Sequence, residues 1–310
     1  MRFQGWFLNG AAALVLAGCS VNPAEPPFSA LDNLPSGSLA ARRAAGAYTP
    51  TTNEVMANLL VDKSHAGQPI DLTGYKMTFR DEFNRMSVTD GNGNGPWYSP
   101  VHSDFGSSKF LPPRKGQGPV FVRKGKLVIQ LYQEKGKWIS SLVQTVNKDG
   151  QGFAQQYGYF EMRAKLPPEK GSWGGLWLHS HPALTGPRVP QTEIDVIEAY
   201  GGDKRGHHAA MHIWPKKPPL PGDIETKASK GVYTKVDGLF DGYRTHGVLI
   251  TPDFTAFYYE NKELFRVPTM PEFKTPQYVL LDLALLPKLK DEAKGLMEFE
   301  VDYVRVWQKE

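Results

Sequence analysis

The sequence contains a single cysteine, Cys19, among its 310 residues. An internal disulfide is therefore excluded, and burial of apolar side chains has to stabilise the fold. The paired cysteines of a zinc site, the glycine-rich loop that binds phosphates and internal repeats are absent as well. The formal net charge of +4 is too small to indicate a nucleic-acid partner. We therefore expect a protein that requires no cofactor and binds no nucleic acid.

Long helical patterns are also scarce, whereas aromatic residues make up 12% of the chain alongside 31 glycines and 25 prolines. This composition is typical of many short strands joined by turns. In the segment 126–132, Leu127, Ile129 and Leu131 alternate as they would on one buried face of a strand. Strands of this kind are predicted at residues 76–79, 126–132, 158–166, 175–179, 193–200, 208–213, 243–251, 256–260, 278–285 and 297–308. Many strands with few helical intervals favour a β-sandwich or jelly roll over a parallel α/β sheet.

The first residues have the pattern of a secretory signal peptide. Arg2 precedes an apolar stretch at 6–17 that is too short to span a bilayer comfortably, and small residues lead up to Cys19. The tetrapeptide that ends at Cys19 resembles a bacterial lipoprotein signal, in which the cysteine is acylated. We therefore predict a signal peptide at 1–18 and a membrane anchor at Cys19, with an uncleaved N-terminal anchor as the alternative.

The same region predicts a location and a domain boundary. Several acyl chains on one cysteine would anchor the protein stably. Ser20 stands where an Asp retains many such lipoproteins at the inner membrane, which indicates the outer membrane, facing the periplasm or the cell surface. Residues 19–70 are predicted to form a largely irregular tether with a short helix near 53–63, followed by one catalytic domain at 71–310.

One acidic strand carries the functional hypothesis. In the run Thr-Glu-Ile-Asp-Val-Ile-Glu-Ala, a regular strand would place Glu193 and Asp195 on one face and Glu198 on the other. One extra residue bulged near 196–197 returns Glu198 to the first face and bends the strand. The sequence therefore predicts a β-bulge between Asp195 and Glu198.

Clustered carboxyl groups suit the hydrolysis of glycosides. A retaining glycosidase needs two of them about 5 Å apart, one to attack the anomeric carbon and one to protonate the leaving oxygen. Since neighbouring carboxylates cannot all ionise easily, at least one pKa is expected to rise. The alternative is an edge strand whose acidic residues face water, and spacing alone does not exclude it. Rings that suit stacking on sugars lie near this strand in the sequence, which favours a substrate-binding site. These rings belong to Trp173, Trp177, Tyr200, His208, His212 and Trp214.

These residues resemble glycoside hydrolase family 16, in particular its laminarinase-like members, whose signature has the bulged form Glu-x-Asp-x-x-Glu. Further similar segments occur in the same order at 79–84, 156–163 and 301–307. The resemblance implies an all-β jelly roll, a sandwich of two antiparallel sheets with a concave substrate cleft. It also implies Glu193 as the nucleophile, Glu198 as the acid/base and Asp195 as their electrostatic assistant.

The resemblance further implies substrate contacts from Trp173, Trp177 and His212, and Tyr200 is another candidate. Members of the family cleave β-1,3- and mixed-linkage glucans, algal galactans and bacterial exopolysaccharides. The chain departs from the laminarinase-like pattern before the signature, where 187–192 lacks the usual tryptophan. The nature of the sugar is therefore left open.

Several cations allow an acidic polysaccharide as the substrate. Arg188, Arg244 and the loop with Lys216 and Lys217 are candidates to pair with uronate, pyruvyl or succinyl groups. Surface charge unrelated to function is the alternative for each of them.

The function predicted from the sequence is that of a retaining endo-β-glycosidase that hydrolyses a β-1,3/1,4-glucan or a bacterial exopolysaccharide and acts as a monomer. The alternatives are a transglycosylase, which would use the same glycosyl-enzyme intermediate, and a non-catalytic glycan-binding lipoprotein. No cluster of ligands in the sequence indicates a metal site, and a structural calcium ion is left open.

Overall fold

The computed structural model describes residues 52–91, 93–114, 118–181, 191–203, 206–216, 223–224 and 226–310. Within these ranges nearly all regular structure is β-strand, and the one α-helix, α1 (Thr52–Ala57), has six residues. The strands are β1 (Tyr75–Asp81), β2 (Val88–Thr89), β3 (Trp97–Tyr98), β4 (Ser108–Phe110), β5 (Val120–Val122), β6 (Leu127–Glu134), β7 (Lys137–Ser140), β8 (Leu142–Gln144), β9 (Gly158–Lys165), β10 (Ser172–Ser180), β11 (Gln191–Tyr200), β12 (His207–Trp214), β13 (Ala228–Thr234), β14 (Arg244–Ile250), β15 (Phe254–Tyr259), β16 (Lys262–Pro268), β17 (Gln277–Leu285) and β18 (Met297–Lys309). Two single turns of 3-10 helix, Pro271–Phe273 and Pro287–Leu289, flank β17. In the described part of the chain, no helix has both the length and the apolar surface needed to cross a bilayer.

The strands form two sheets that pack as a jelly-roll sandwich. One sheet has ten strands in the order β16-β15-β14-β9-β18-β6-β7-β4, with β1 beside β18 and β5 beside β6. The other has eight strands in the order β13-β12-β11-β10-β17-β8-β3-β2. The all-β jelly roll predicted from the sequence is confirmed. The sheets are not purely antiparallel, however, because the short strands β2 and β3 pair in parallel, as do β4 and β7.

The main hydrophobic core lies between the two sheets. Leu127, Ile129 and Leu131 are fully buried in it, as their alternation predicts. From the eight-stranded sheet, Ile194 and Val196 of β11 reach the same core. The opposite side of that sheet, turned away from the main core, is called the cleft face below. Polar side chains of β11 are directed to the cleft face because its apolar neighbours take the other side.

The segment 52–70 packs against the sandwich instead of forming a tether. Met56 of α1 is fully buried and Leu59 is 8% exposed, and both belong to the main core. Beyond the helix, Asp62 forms a β-bridge with Arg266. The boundary predicted at residue 71 is therefore too late, and these residues belong to the same compact unit as the strands.

The helix predicted near 53–63 is shorter than expected. It ends at Ala57, and the Asn58 side-chain amide donates to the carbonyl oxygen of Glu54 at 2.8 Å. The same carbonyl oxygen also accepts the Asn58 backbone N–H at 3.1 Å, so the side chain adds a second hydrogen bond at the end of the helix.

Met56→Ala is expected to lower the free energy of unfolding by about 2–4 kcal/mol, because it removes a buried side chain and leaves a cavity without a helix-propensity cost. Leu60→Ala, at a side chain that is 69% exposed, is the control and should change it by less than about 0.5 kcal/mol. Urea denaturation of the two variants measures both values. Equal, small effects would show that α1 contributes nothing to the core.

Candidate active site

Strand β11 presents three carboxyl groups on the cleft face. On the neighbouring strand β10, Trp177 pairs with Asp195 and Leu176 pairs with Ile197, so Val196 has no partner there. The register to β12 shifts in the same interval. Val196 and Ile197 are both fully buried in the main core. The predicted bulge is therefore confirmed, and it returns Glu198 to the face of Glu193 and Asp195.

Each outer carboxylate is held by an indole from a neighbouring strand. Trp214, the last residue of β12, donates its Nε1 proton to Glu193 Oε2 at 2.7 Å. Trp173 of β10 donates its Nε1 proton to Glu198 Oε1 at 3.0 Å. Tyr200 also forms a side-chain hydrogen bond with Glu198. The two glutamates thus have separate donors and stand in different surroundings.

Asp195 lies between them and is held by a histidine. His212 Nε2 is 3.1 Å from Asp195 Oδ2, and both side chains are almost fully buried, with 3% and 7% exposed. The other ring nitrogen, His212 Nδ1, is 2.7 Å from the hydroxyl oxygen of Ser229 on β13. Burial lowers the pKa of His212, so the imidazole is neutral at neutral pH.

The electrostatics of the cluster favour retained protons. Burial, with a further contribution from the charge of Asp195, raises the pKa of Glu193 to about 8 and that of Glu198 to about 7. Burial also raises the pKa of Asp195 to about 7, against the opposing charge of Lys227. Three carboxyl groups this close therefore carry fewer than three negative charges at neutral pH. The cluster can supply a nucleophilic carboxylate and a protonated acid at once.

The predicted ring contacts divide into two groups. Trp173 and Tyr200 lie beside Glu198, with ring centroids 6.1 Å apart, and both remain partly exposed on the cleft face. Trp177 is only 7% exposed, and its Nε1 donates to Asp282 Oδ1 at 2.9 Å. Trp177 thus forms part of the floor of the cleft, whereas Trp173 and Tyr200 can meet a sugar.

The predicted cationic contacts receive little support. Arg244 lies on β14 of the other sheet, where its Nε donates to the carbonyl oxygen of Gly238 at 2.9 Å, so the structure does not bring it to the carboxylates. Lys216 pairs with Asp223 at 3.2 Å. Arg188 and Lys217 lie outside the described residues, as does Cys19, the predicted site of lipidation.

The structure adds functional residues that the sequence reasoning missed. Asp282 of β17 is a fourth carboxyl group on this sheet, 3% exposed, and burial raises its pKa well above the usual range. In the sequence, the one feature that could have indicated Asp282 is its position as an acidic residue inside the apolar run of β17. An aromatic wall, formed by His102 and Phe105, also covers the floor, with Phe105 at 5.4 Å from the Trp173 ring and His102 at 5.4 Å from the Trp177 ring. This wall comes from a distant part of the chain, so the spacing around the signature could not reveal it.

The possibility of a metal site rests on the same cluster. Potential ligand atoms of Glu193, Asp195 and His212 lie within 4.8 Å of one another, the one such group of three among the described ranges. The hydrogen bonds from Trp214 and His212 account for this proximity without an ion.

A jelly roll with two glutamates and an aspartate on a bulged strand defines the class of carboxylate-dependent glycoside hydrolases. The sequence profile described as Glycosyl hydrolases family 16 matches residues 112–281, more than half of the chain. The chain therefore belongs to glycoside hydrolase family 16, as the sequence motifs predict.

Its relatives include glycanases of larger size. The chain is 27% identical over 281 residues to endo-1,3-1,4-beta-glycanase EglC of Rhizobium meliloti, covering 82% of this chain and 57% of that protein. It is 23% identical to glucan endo-1,3-beta-glucosidase A1 of Niallia circulans, with coverage of 79% and 40%. The chain thus spans about half the length of these curated relatives.

Solved structures share the fold. The endo-β-1,3(4)-glucanase SCLam superimposes with a TM-score of 0.63 at 23% identity, covering 84% of this chain and 100% of that one. The LamA catalytic domain of Zobellia galactanivorans gives a TM-score of 0.58 at 21% identity, with coverage of 75% and 97%.

Glu193→Gln is expected to stabilise the protein at pH 8 more than at pH 5. A carboxyl group whose pKa is raised on folding binds more protons in the folded state, so its ionisation lowers stability as pH rises from the unfolded value of about 4.3 towards 8. Glutamine removes this loss. Melting temperatures of wild type and variant between pH 5 and pH 8 measure the difference.

The control for this prediction is Glu298→Gln, which should have the opposite sign. Hydrogen bonds from Arg123 lower the pKa of Glu298, so this group contributes stability above its unfolded pKa and loses it as pH falls. A Glu193→Gln variant that destabilises the fold at pH 8, as the control does, would contradict the raised pKa.

Proposed function

We propose that the protein is a retaining endo-β-glycosidase that hydrolyses β-1,3/1,4-linked glucan. The observation that carries the proposal is the bulged strand β11, which brings Glu193 and Glu198 to one face on either side of Asp195. Two carboxyl groups with separate hydrogen-bond donors, on an open sheet face beside aromatic rings, are the elements that double displacement requires.

In the first step, a carboxylate oxygen of Glu193 attacks the anomeric carbon while Glu198 gives its proton to the departing glycosidic oxygen. The bond to the leaving sugar breaks as the bond to Glu193 forms. In the second step, Glu198 takes a proton from water, and the hydroxide oxygen displaces Glu193. The assignment of Glu193 as nucleophile and Glu198 as acid/base follows their order in the family signature, because each glutamate has an indole donor and burial raises the pKa of both.

Neutral glucans are the preferred substrates in this proposal. Of the cations suggested for an acidic polymer, Arg244 lies on the other sheet and Lys216 is paired with Asp223. Relatives of the chain are named as endo-1,3-1,4-beta-glycanases. The complete set of three carboxyl groups, each with a donor, favours an enzyme over a glycan-binding protein without activity, and no observation favours a transglycosylase.

Glu193→Gln is expected to lower kcat on mixed-linkage β-glucan by more than about a thousandfold, because no nucleophile remains for the first step. Wild-type products followed by proton NMR should first appear with the β-anomeric configuration, as retention requires. The laminarin and mixed-linkage glucan digests should release internal fragments and not only monosaccharide.

Glu82→Gln is the matched control. Glu82 pairs with Arg305 at 2.9 Å on the ten-stranded sheet, away from the carboxylates, so this variant should keep wild-type kcat. First products of inverted configuration, or a Glu193→Gln variant as active as this control, would overturn the proposed mechanism.

We also propose that the protein is exported, anchored through acylated Cys19 at the outer membrane, and monomeric. The sequence pattern at 1–19 supports the export and the anchor. Cys19→Ser should abolish metabolic labelling with palmitate and leave the protein as a full-length precursor, because the residue that is acylated is absent. Labelling that persists in this variant would contradict the anchor.

A further inference from the structure

The edge strand β13 lies directly behind the carboxylate pair Glu193 and Asp195. It pairs with β12, and Ser229 stands opposite His212 in this register. Lys227 immediately precedes β13, beside the end of β12 where Trp214 lies. Ser229 and Lys227 thus contact the two side chains of β12 that hold the carboxylates, His212 and Trp214.

We propose that Ser229 and Lys227 are positioning residues of the catalytic site, Ser229 by allowing His212 to change tautomer and Lys227 by holding Trp214 against Glu193. The inference rests on the proposed function, and it assigns to the edge strand a second layer of support for the nucleophile.

The first contact concerns the proton of Asp195. When Asp195 is ionised, the neutral ring of His212 donates from Nε2 to Asp195 Oδ2, and Nδ1 accepts from the Ser229 hydroxyl. When Asp195 is protonated, its Oδ2 donates to Nε2, and Nδ1 carries the ring proton and donates to Ser229 Oγ. The distances of 3.1 Å and 2.7 Å suit both arrangements.

A hydroxyl is the group that serves both tautomers, because it donates and accepts equally well. Ser229 is exposed on the edge strand, so its hydroxyl can relay a proton between His212 Nδ1 and solvent. A proton released by Glu193 can then reside on Asp195 while His212 stays neutral. The proton count balances, since Glu193 loses the proton that Asp195 gains.

The second contact concerns the charge beside Glu193. Lys227 Nζ lies 4.6 Å from the centroid of the Trp214 ring, a cation–π contact on the indole that donates to Glu193. The positive charge also lowers the pKa of Glu193 and of Asp195, in opposition to their burial. Lys227 therefore favours the ionised nucleophile in two ways.

Carboxyl groups and one lysine of the described residues face the His212 ring. His212 is faced by Glu193, Asp195 and Glu198 from β11 and by Lys227 from the start of β13. Burial lowers the pKa of His212, and the charge of Lys227 lowers it further against the charges of Glu193 and Glu198, so the ring is neutral, as the tautomer exchange requires.

Ser229→Val and Ser229→Thr form a matched pair that differs only in the hydroxyl, and both β-branched side chains suit an edge strand. Ser229→Val is expected to lower kcat on β-glucan about fivefold with KM unchanged, because one hydrogen bond to His212 is lost. Ser229→Thr should keep the wild-type kcat. Imidazole 15N NMR should show two exchanging His212 tautomers in the wild type and in the threonine variant, and a shifted tautomer balance in the valine variant. Equal kcat and equal spectra for the pair would overturn the role of Ser229.

Lys227→Met is expected to lower kcat/KM about fivefold at pH 5.5 and to move the acidic limb of the pH profile to higher pH, because Glu193 then holds its proton more strongly. Lys227→Arg should restore the profile. Lys230→Met removes a charge of the same kind from β13 itself, where Lys230 Nζ donates to the Ala57 carbonyl oxygen on α1, and should leave the profile unchanged. A Lys227→Met profile that superimposes on this control would overturn the role of Lys227.

Separate measurements test the proposed glycosidase function and the tautomer exchange of His212. If the wild type cleaves no β-glucan, the proposed function fails. The NMR comparison of the Ser229 pair needs no substrate, so it tests the tautomer exchange whether or not the protein is active.

Discussion

The placement of three carboxyl groups on one face of a ten-residue strand is the constraint on which the rest of the site depends. Glu193, Asp195 and Glu198 would not share a face on a regular strand, and the unpaired Val196 brings them together. The bulge is stabilised from the other side of the sheet, because Val196 and Ile197 both reach the main core. The same two apolar residues thus serve the packing of the sandwich and the alignment of the carboxylates.

The hydrogen-bond donors around Glu193 and Glu198 are uncharged, which explains how these carboxyl groups can retain protons. Indole N–H groups from Trp173 and Trp214 bond to the glutamates without adding a formal charge. On the ten-stranded sheet, by contrast, Glu298 is paired with Arg123, and its pKa is lowered. An arginine in place of Trp173 would hold Glu198 ionised and remove the proton that general acid catalysis needs.

Much of the fold and the centre of the site could be predicted from the sequence. Long strands with clear alternation, such as β6 and β18, were found because one side of each faces a continuous core. Strands of two to four residues, such as β3 and β8, are too short to show a period. The sequence pattern does not predict strand β13 for another reason. Its sequence, Ala-Ser-Lys-Gly-Val-Tyr-Thr, places polar residues on both faces because the strand lies at the exposed edge of the sheet. The roles of Trp177 and Arg244 depended on which sheet or layer each residue joins, which spacing along the chain does not specify.

The position of β13 shows why local patterns identify reacting groups more readily than the groups that support them. The carboxylates must lie on one strand within a few residues, so their spacing is visible in the sequence. Their supporting residues act across strands, through the register of β11 with β12 and of β12 with β13. Ser229 is 31 residues after Glu198 and would pass for an ordinary serine in an exposed strand. Its contact with His212 gives it a defined partner, and the neutral state of that ring gives the contact a chemical consequence.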